Sequence, residues 1–465
     1  MSKSFDVIVL GGGPAGYVCA IRAAQLGLAT AVVEKDKLGG VCVNIGCIPT
    51  KALLYSALVA NTIAHEAKGL GISVSEVSTD YGVAMKRSRR VSEQNSKGVG
   101  FLMKKNEITV INGAGTLQPG KKVAVGSDVY TATKGVVIAT GSRVMGIPPA
   151  GLDLDGKTII SSDDALFLEQ APETMAVVGA GAVGCEFVDI FNAFGSKITL
   201  IEALPRILPL EDADSSETVA KSFKKRKITT MAGAMVKSTT VTDAGATLAV
   251  DAGGKSHTVE VAVVLVAAGR AVNTESIGLE AVGIELDERG FIKVDRASLQ
   301  TGVEGYYAIG DVAGPPMLAH KGSREGTVVA ERLAGQTPHP IWYDNIPRVT
   351  YCHPEVASIG LTEDECREQG LDYLVGKFPF SANGRARASN ATDGFVKIIR
   401  DKAYGEILGA HIVGADASEM IHELAVARQN EFTVAEIDLA VHAHPTLSEA
   451  VAEAVLDSMG RVIHT

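Results

Sequence analysis

Apolar residues in this chain gather in short dense runs bounded by glycine, the pattern of strands buried on both faces of a parallel sheet. Val7-Ile8-Val9-Leu10 is the first such run. An alanine-rich helical stretch then extends to about Leu26, Gly27 can end it, and Ala31-Val32-Val33 forms a second strand that finishes at Glu34. The order repeats further on. Ala176-Val177-Val178 precedes a helix to about Phe194, Gly195 caps it, and Ile198-Thr199-Leu200-Ile201 runs to Glu202. Ile108–Ile111, Gly135–Ala139 and Val263–Ala268 add strands, and the region from Ser56 to Gly100 reads as largely helical, with Lys86–Arg90 as a solvated basic face. From about Asn345 the pattern changes. Strand-like Ser358–Leu361, Phe395–Ile399 and Ile407–Val413 alternate with amphipathic helical stretches at Ala417–Arg428 and Leu447–Met459.

Each strand–helix–strand unit carries G-x-G-x-x-G at its first turn, Gly11-Gly12-Gly13-Pro14-Ala15-Gly16 in one and Gly179-Ala180-Gly181-Ala182-Val183-Gly184 in the other. The first glycine permits the turn, the second lets backbone approach a pyrophosphate, and the third allows close packing of helix on strand. The helix N-terminus offers free N–H groups to phosphates, and Glu34 or Glu202 can accept from a ribose hydroxyl. Two copies with equal spacing to the acid predict two dinucleotides, with electrons passing between them. A carboxylate at Glu202 would repel a 2′-phosphate, and no arginine pair follows it immediately, so NAD is expected there over NADP. The expected architecture is α/β, with two Rossmann-like dinucleotide-binding domains and an α+β C-terminal domain.

Between the two units lies Gly39-Gly40-Val41-Cys42-Val43-Asn44-Ile45-Gly46-Cys47-Ile48-Pro49-Thr50-Lys51. Its cysteines can approach if the chain turns at Gly46 and enters a helix near Cys47, which brings their Cα atoms within the roughly 7 Å a disulfide needs. Two buried thiols and a structural cross-link are the other readings of the pair. The remaining cysteines, Cys19, Cys185, Cys352 and Cys366, have no framework spacing, and Cys352-His353 with Cys366 fits no zinc pattern, so no metal is expected.

Composition narrows the setting. The 465 residues leave room for about three domains, and 46% hydrophobic content provides sizeable cores. A net charge of −10 argues against nucleic-acid binding, and no run of consecutive apolar residues nears the ~18 that span a bilayer. The start runs into a strand with no signal-peptide pattern, so a cytoplasmic location is expected.

The cysteine segment resembles the redox-active disulfide motif of the pyridine nucleotide-disulfide oxidoreductases, and further motifs extend the resemblance over nearly the full length. Thr140-Gly141-Ser142 is similar to the family's crossover between its flavin and nicotinamide domains. Gly269-Arg270 is similar to a second crossover, with Val272 replacing the usual proline before Asn273. Tyr307-Ala308-Ile309-Gly310-Asp311 matches the segment whose aspartate binds the ribityl chain, and Met317-Leu318-Ala319-His320 matches backbone lying on the flavin ring. The resemblance implies domains at 1–148 (FAD), 149–275 (NAD), 276–344 (return to the FAD domain) and 345–465 (interface, forming a homodimer).

The same resemblance implies that Cys42 and Cys47 form the redox disulfide. FAD would lie on Gly11, Gly13, Pro14, Ala15, Gly16, Glu34, Lys35, Gly40, Val41, Cys42, Lys51, Gly115, Thr140, Gly141, Ser142, Asp311 and Met317 to His320. NAD would lie on Gly179, Gly181, Ala182, Val183, Gly184, Glu186, Glu202, Val236 and Gly269, with Lys51 paired to Glu186 near the flavin. In His442-Ala443-His444-Pro445-Thr446-Leu447-Ser448-Glu449, the spacing Thr446-x-x-Glu449 also reads as a capping box opening the last helix. By resemblance His444, oriented by Glu449, is a base acting across the dimer, and His442 is structural. The implied substrate is a dihydrolipoyl group on a carrier domain of a 2-oxo acid dehydrogenase or related complex. A glutathione-type reductase and a scaffolding subunit are the alternatives.

Overall fold

The structure is a computed structural model that describes residues 3–464, and these form two compact units. The first comprises residues 3–52, 83–145 and 269–341. Its seven-stranded sheet runs in the order Thr109–Asn112, Thr30–Glu34, Ser4–Leu10, Asp128–Ile138, Lys122–Val125, Gly115–Gln118, with Tyr306–Ala308 pairing in parallel to Asp128–Ile138. Strand Ser4–Leu10 is buried on both faces. Val7 and Val9 join one apolar cluster with Ala15, Cys19 and Val329, while Ile8 and Leu10 join another with Ile138 and Ala308. That two-sided burial is why its sequence shows no polar alternation.

Helix α1 (Pro14–Gln25) follows the first glycine turn. A Cβ on Gly16 would sit 1.9 Å from the Gly11 carbonyl oxygen, so the helix can leave the strand this tightly only with glycine there. Helices α2 (Gly40–Ile45) and α3 (Cys47–His65) carry the cysteines, and α4 (Tyr81–Lys105) follows. Residues 66–80 are not helical, so the long helical region expected from Ser56 to Gly100 is two helices joined by a loop. Residues 40–65 are the one helical stretch among the described residues long and apolar enough by composition to cross a membrane. It is broken at Gly46, and its apolar content includes Leu53, Leu54 and Ala57, which are buried in the protein.

The second unit comprises residues 53–82, 146–268 and 342–464. Its parallel sheet has the order Thr229–Ala232, Lys197–Glu202, Thr174–Val178, Val263–Val266, Ile159–Ser161. Helix α5 (Ala182–Ala193) leaves the second glycine turn, and α6 (Ala213–Lys225) follows strand Lys197–Glu202. The C-terminal part is a five-stranded antiparallel sheet in the order Arg348–Thr350, Glu355–Gly360, Ile407–Gly414, Phe395–Asp401, Tyr373–Pro379. The two sheets belong to one compact unit, and strand Arg270–Val272 belongs with the first unit, where it pairs with Ser142–Val144.

In the first unit, helix α7 (Ala319–Leu333) crosses α1 at glycines. A Cβ on Gly326 would lie 2.5 Å from the Ala15 carbonyl oxygen and 3.0 Å from Cys19 Cβ. Gly326→Ala would gain about 1 kcal/mol of helix propensity. The obstacle is backbone, however, and overpacking of this kind costs about 1–3 kcal/mol. The variant is therefore expected to unfold at lower urea than the parent, and an unchanged or raised midpoint would contradict the packing argument.

Candidate functional site

Cys42 lies in the short helix α2 and Cys47 opens α3, with a disulfide joining them across a Cα–Cα distance of 4.6 Å. The expected turn at Gly46 is present, where a Cβ would meet the Val41 carbonyl oxygen at 2.9 Å. That the first cysteine is itself helical was not foreseen. Gly39 and Gly40, at φ 96° and 56°, make the left-handed entry that a six-residue helix requires here.

Such a short helix cannot hold itself, and α4 holds it. Ser92 Oγ donates to the Val43 carbonyl (2.7 Å), Ser96 Oγ to that of Leu38 (2.8 Å), and Arg87 to that of Ala52 (2.8 Å). The Arg89 guanidinium donates to the Asn44 carbonyl, and burial lowers its pKa. Arg89, Ser92 and Ser96 fall at helical spacing on one face of α4, whereas Arg87 reaches α3 from another. The basic run Lys86–Arg90 is therefore not the solvated face expected from sequence. Lys86 and Arg90 are exposed, but Arg87 and Arg89 turn to the disulfide segment.

At the first glycine turn, both oxygens of Glu34 accept backbone N–H groups, Oε2 from Gly12 (2.7 Å) and Oε1 from Asp36 (2.8 Å). Gly39 N–H then donates to the Gly12 carbonyl at 2.8 Å. The second turn repeats this arrangement. Glu202 accepts from Ala180 (2.7 Å) and Leu204 (2.8 Å), and Leu208 N–H donates to the Ala180 carbonyl (2.8 Å). A carboxylate has about four lone-pair sites, so each acid retains acceptor capacity for a ribose hydroxyl.

Neither Gly13 nor Gly181 provides a side-chain cap, so both helices present free N–H groups at their first turns. The nearest atom to a Cβ on Gly13 would be Gly40 Cα at 3.8 Å, and Gly181 and Gly141 have none within 4 Å. Open space beside uncapped N-termini fits pyrophosphates, so each turn can hold a dinucleotide. Pro14, Ala15 and Gly40 border the first, and Val183 and Gly184 the second.

The remaining cofactor candidates divide by how they are placed. Thr140 and Asn273 are tied reciprocally, Thr140 Oγ1 donating to the Asn273 carbonyl (2.7 Å) and Asn273 Nδ2 to that of Thr140 (2.9 Å). Val272 in place of proline leaves this junction intact. Ser142 is buried and donates to Asp311 Oδ2 at 2.5 Å while accepting from Arg270 Nε at 2.7 Å, so its side chain serves Asp311. Lys35 is exposed. Gly115 sits in a strand against Leu10, and the Val236 side chain is in the apolar core, so these two offer a ligand backbone only. Gly269 has φ 151°.

Lys51, half-buried one turn after Cys47, belongs to the first unit. Glu186 belongs to the second, where it is buried and accepts from Tyr351 N–H at 3.0 Å.

Sequence reasoning assigned no role to Lys321 or Glu325. Both side chains are fully buried and paired at 3.2 Å. Lys321 Nζ also donates to the carbonyls of Gly310 (2.9 Å) and Gly314 (2.8 Å), and Glu325 accepts from Gly310 N–H (2.7 Å). Burial lowers the Lys321 pKa, with Glu325 opposing it. The pair brackets Asp311. Its i,i+4 spacing just past the aspartate motif was the legible signal; Ser92 and Ser96 left none.

Beside the disulfide is a cavity of about 730 Å³ lined by Cys42, Ile48, Phe101, Leu102, Ala319 and His320, with Pro14 of the glycine turn at its wall. That volume suits a small-molecule site with apolar walls and few polar groups.

In the second unit, His444 is exposed and its Nδ1 lies 2.8 Å from Glu449 Oε1. Glu449 Oε2 accepts from Thr446 N–H at 2.8 Å. The return bond of a capping box is not made, because Thr446 Oγ1 donates to the Ala443 carbonyl (2.7 Å) and helix α8 (Glu449–Ser458) begins only at the glutamate. The carboxylate thus braces the histidine loop. Burial pushes the Glu449 carboxyl up, but Thr446 N–H and His444 together hold it below its ordinary value. His442 is anchored to Glu423 at 2.8 Å, a structural role as expected, and that bond raises its pKa.

The chain matches the family described as pyridine nucleotide-disulphide oxidoreductase over residues 5–326, and that family's dimerisation domain over 346–455. It is 45% identical over 470 residues to the dihydrolipoyl dehydrogenase of Zymomonas mobilis, covering 100% of both chains. Identity to the enzyme of that name from Chlorobaculum tepidum is 44%, over 99% of this chain and 98% of the other. Among solved structures, LpdA from Mycobacterium tuberculosis aligns with a TM-score of 0.89 at 30% identity, covering 97% of this chain and 98% of that one. The HOCl-induced flavoprotein disulfide reductase RclA from Escherichia coli aligns with a TM-score of 0.85 at 27% identity, covering 96% and 98%.

Replacing Glu202 by Ala removes an acceptor for two backbone N–H groups and the spare acceptor capacity expected to receive the ribose. NAD binding is expected to weaken by about 1.5–3 kcal/mol, the scale of hydrogen bonds to a charged group. Discrimination against NADP should shrink, since repulsion of its 2′-phosphate is lost. The ratio of kcat/KM for the two nucleotides reads this directly, and an unchanged ratio would exclude Glu202 from the ribose site.

Proposed function

The chain belongs to the pyridine nucleotide-disulphide oxidoreductase family, and on that premise we propose that it oxidises protein-bound dihydrolipoyl groups while reducing NAD to NADH. The observation that carries the reading is the Cys42–Cys47 disulfide beside an apolar cavity that also reaches the first dinucleotide turn. An aliphatic dithiol arm suits such walls. The full-length likeness to dihydrolipoyl dehydrogenases supports the same substrate. A glutathione-type reductase using NADP would need arginines for a 2′-phosphate, and the next arginine along the chain after Glu202, Arg206, is engaged by Asp364 at 2.9 Å.

FAD, when bound, supplies the two-electron relay between the thiols and the nicotinamide. The protein orders the thiol chemistry and moves the protons. His444, its Nδ1 held by Glu449, takes a proton at Nε2 from one substrate thiol. The resulting thiolate attacks Cys42 Sγ, the Cys42–Cys47 bond breaks, and Cys47 leaves as a thiolate. His444, which is exposed, passes that first proton to solvent, and the second substrate thiol then gives up its proton to the restored base. It then attacks the substrate sulfur bound to Cys42, which closes the substrate disulfide and releases the Cys42 thiolate. The Lys321–Glu325 clamp and Ser142 hold Asp311 for the ribityl chain. The dimerisation domain supports a homodimer. In this reading His444 serves the disulfide of the partner subunit, and a lipoyl-bearing carrier domain of a 2-oxo acid dehydrogenase or related complex is the macromolecular partner.

Cys42→Ser should abolish dithiol turnover yet leave a yellow, folded protein that NADH still reduces. Cys47→Ser should remove the long-wavelength thiolate–flavin absorbance of the half-reduced enzyme. Near-normal turnover in both variants would refute the disulfide's role.

His444→Gln should lower dithiol-to-NAD turnover by roughly 10²–10⁴, the size of a lost general base. Flavin reduction by NADH should change far less. Purified heterodimers of His444→Gln and Cys42→Ser subunits should recover one working site from their unmutated halves. Heterodimers that are flavin-loaded but as inactive as either parent would show that the histidine does not act in trans.

A further inference from the structure

The second glycine turn does not end its constraints at Glu202. The loop after it, residues 203–212, begins at Leu204, whose N–H meets Glu202. It returns to the turn through Leu208 N–H on Ala180, and Ser216 Oγ of α6 donates to the Leu208 carbonyl (3.1 Å). The loop closes on Asp212, the N-cap of α6, whose side chain accepts from Asp214 N–H (3.1 Å).

Asp212 is also where this loop meets the C-terminal sheet of the same unit. Pairing register there sets Arg348 opposite Ser358, Ser358 opposite His411, His411 opposite Lys397 and Lys397 opposite Lys377. Residues directly opposite in a sheet share a face, so one face carries a polar and cationic row across all five strands. Lys397, its fourth member and only 2% exposed, gathers the ion pairs. Its ammonium lies 2.9 Å from Asp212 Oδ1, 3.1 Å from Asp214 Oδ2 and 2.7 Å from Glu363 Oε2. Lys377 adds a second bond to Asp214 (2.9 Å), and Glu363 N–H donates to Asp212 Oδ2 (3.1 Å). A separate, half-exposed tie joins Arg206, in the middle of the loop, to Asp364.

A buried ammonium gathering three carboxylates is costly to desolvate and is tolerated where it fixes one arrangement against others. We propose that Lys397 is a positioning residue for NAD, anchoring the 203–212 loop to the dimerisation sheet so that Glu202 and the Ala180 turn stay set for the nucleotide. This rests on reading the second turn as the NAD site. Lys397 has no place in thiol chemistry, so the tie acts on the nicotinamide half of the reaction alone.

The test uses full-length, flavin-loaded Lys397→Met. Hydrogen exchange without NAD should show Leu204–Asp212 amides opening about tenfold more readily, with protection in the Ser4–Leu10 strand unchanged. The Kd for NAD should rise about fivefold or more, the low end of coupling between linked sites. Reduction of the flavin by dihydrolipoamide with NAD omitted should stay within about twofold of the parent. If Lys397→Met does not fold, Glu363→Gln combined with Asp364→Asn, both on partly exposed side chains, should raise exchange in the same amides. Loop exchange that is unchanged, or that rises evenly over the whole chain, overturns the proposal. NAD binding by the parent protein in the same titration tests the reading of the second turn separately, since the exchange experiment contains no nucleotide.

Discussion

The bond from a glutamate carboxylate to the backbone of a glycine turn is the constraint on which this molecule's chemistry rests. At the first site Glu34 fixes Gly12, Gly12 in turn receives Gly39 N–H, and Gly39 is the left-handed entry to the helix bearing Cys42. One chain of short bonds thus sets the pyrophosphate cradle and the disulfide together. Hydrogen bonds to an ionised acceptor are worth about 1.5–3 kcal/mol, more than a neutral pair, and these fall where no side chain could substitute for backbone.

The same bonds recur at the second site, and the divergence begins where the loops leave them. After Gly39 the chain enters α2 and the cysteines; after Leu208 it runs to Asp212 and α6. One fold unit therefore serves two purposes according to what its second loop is tied to. The first loop is held by hydroxyls and guanidinium groups of α4, an arrangement that adds no carboxylate beside a disulfide that must accept thiolate attack. The second is held by ion pairs centred on Lys397.

Both units bury an ammonium, and both use it to hold a loop. Lys321 grips the backbone on either side of Asp311 and is paired with Glu325. Lys397 faces three carboxylates. Removing either lysine costs about 3–5 kcal/mol, because it strands a fully buried carboxylate, Glu325 in one cluster and Asp212 in the other. Both clusters are accordingly points of rigidity in places where a ligand needs a fixed surface.

Much of this was determined by sequence alone. Glycine spacing, the acid after the second strand, the cysteine turn at Gly46 and the His444–Glu449 neighbourhood are local, and local steric and hydrogen-bonding rules suffice to read them. Only the tertiary structure decided which polar groups are spent on holding the site. Ser142 reads as a cofactor contact but supports Asp311, Arg87 and Arg89 read as solvated but brace the disulfide helix, and Thr446 reads as a cap but bonds backward. The first two outcomes depend on partners far away in the sequence, such as Asp311 for Ser142 or Asn44 for Arg89, whereas Thr446 turns back only to Ala443. The row Arg348–Ser358–His411–Lys397–Lys377 exists only through strand register, which aligns residues from five separate segments and leaves no mark of its own in any one of them.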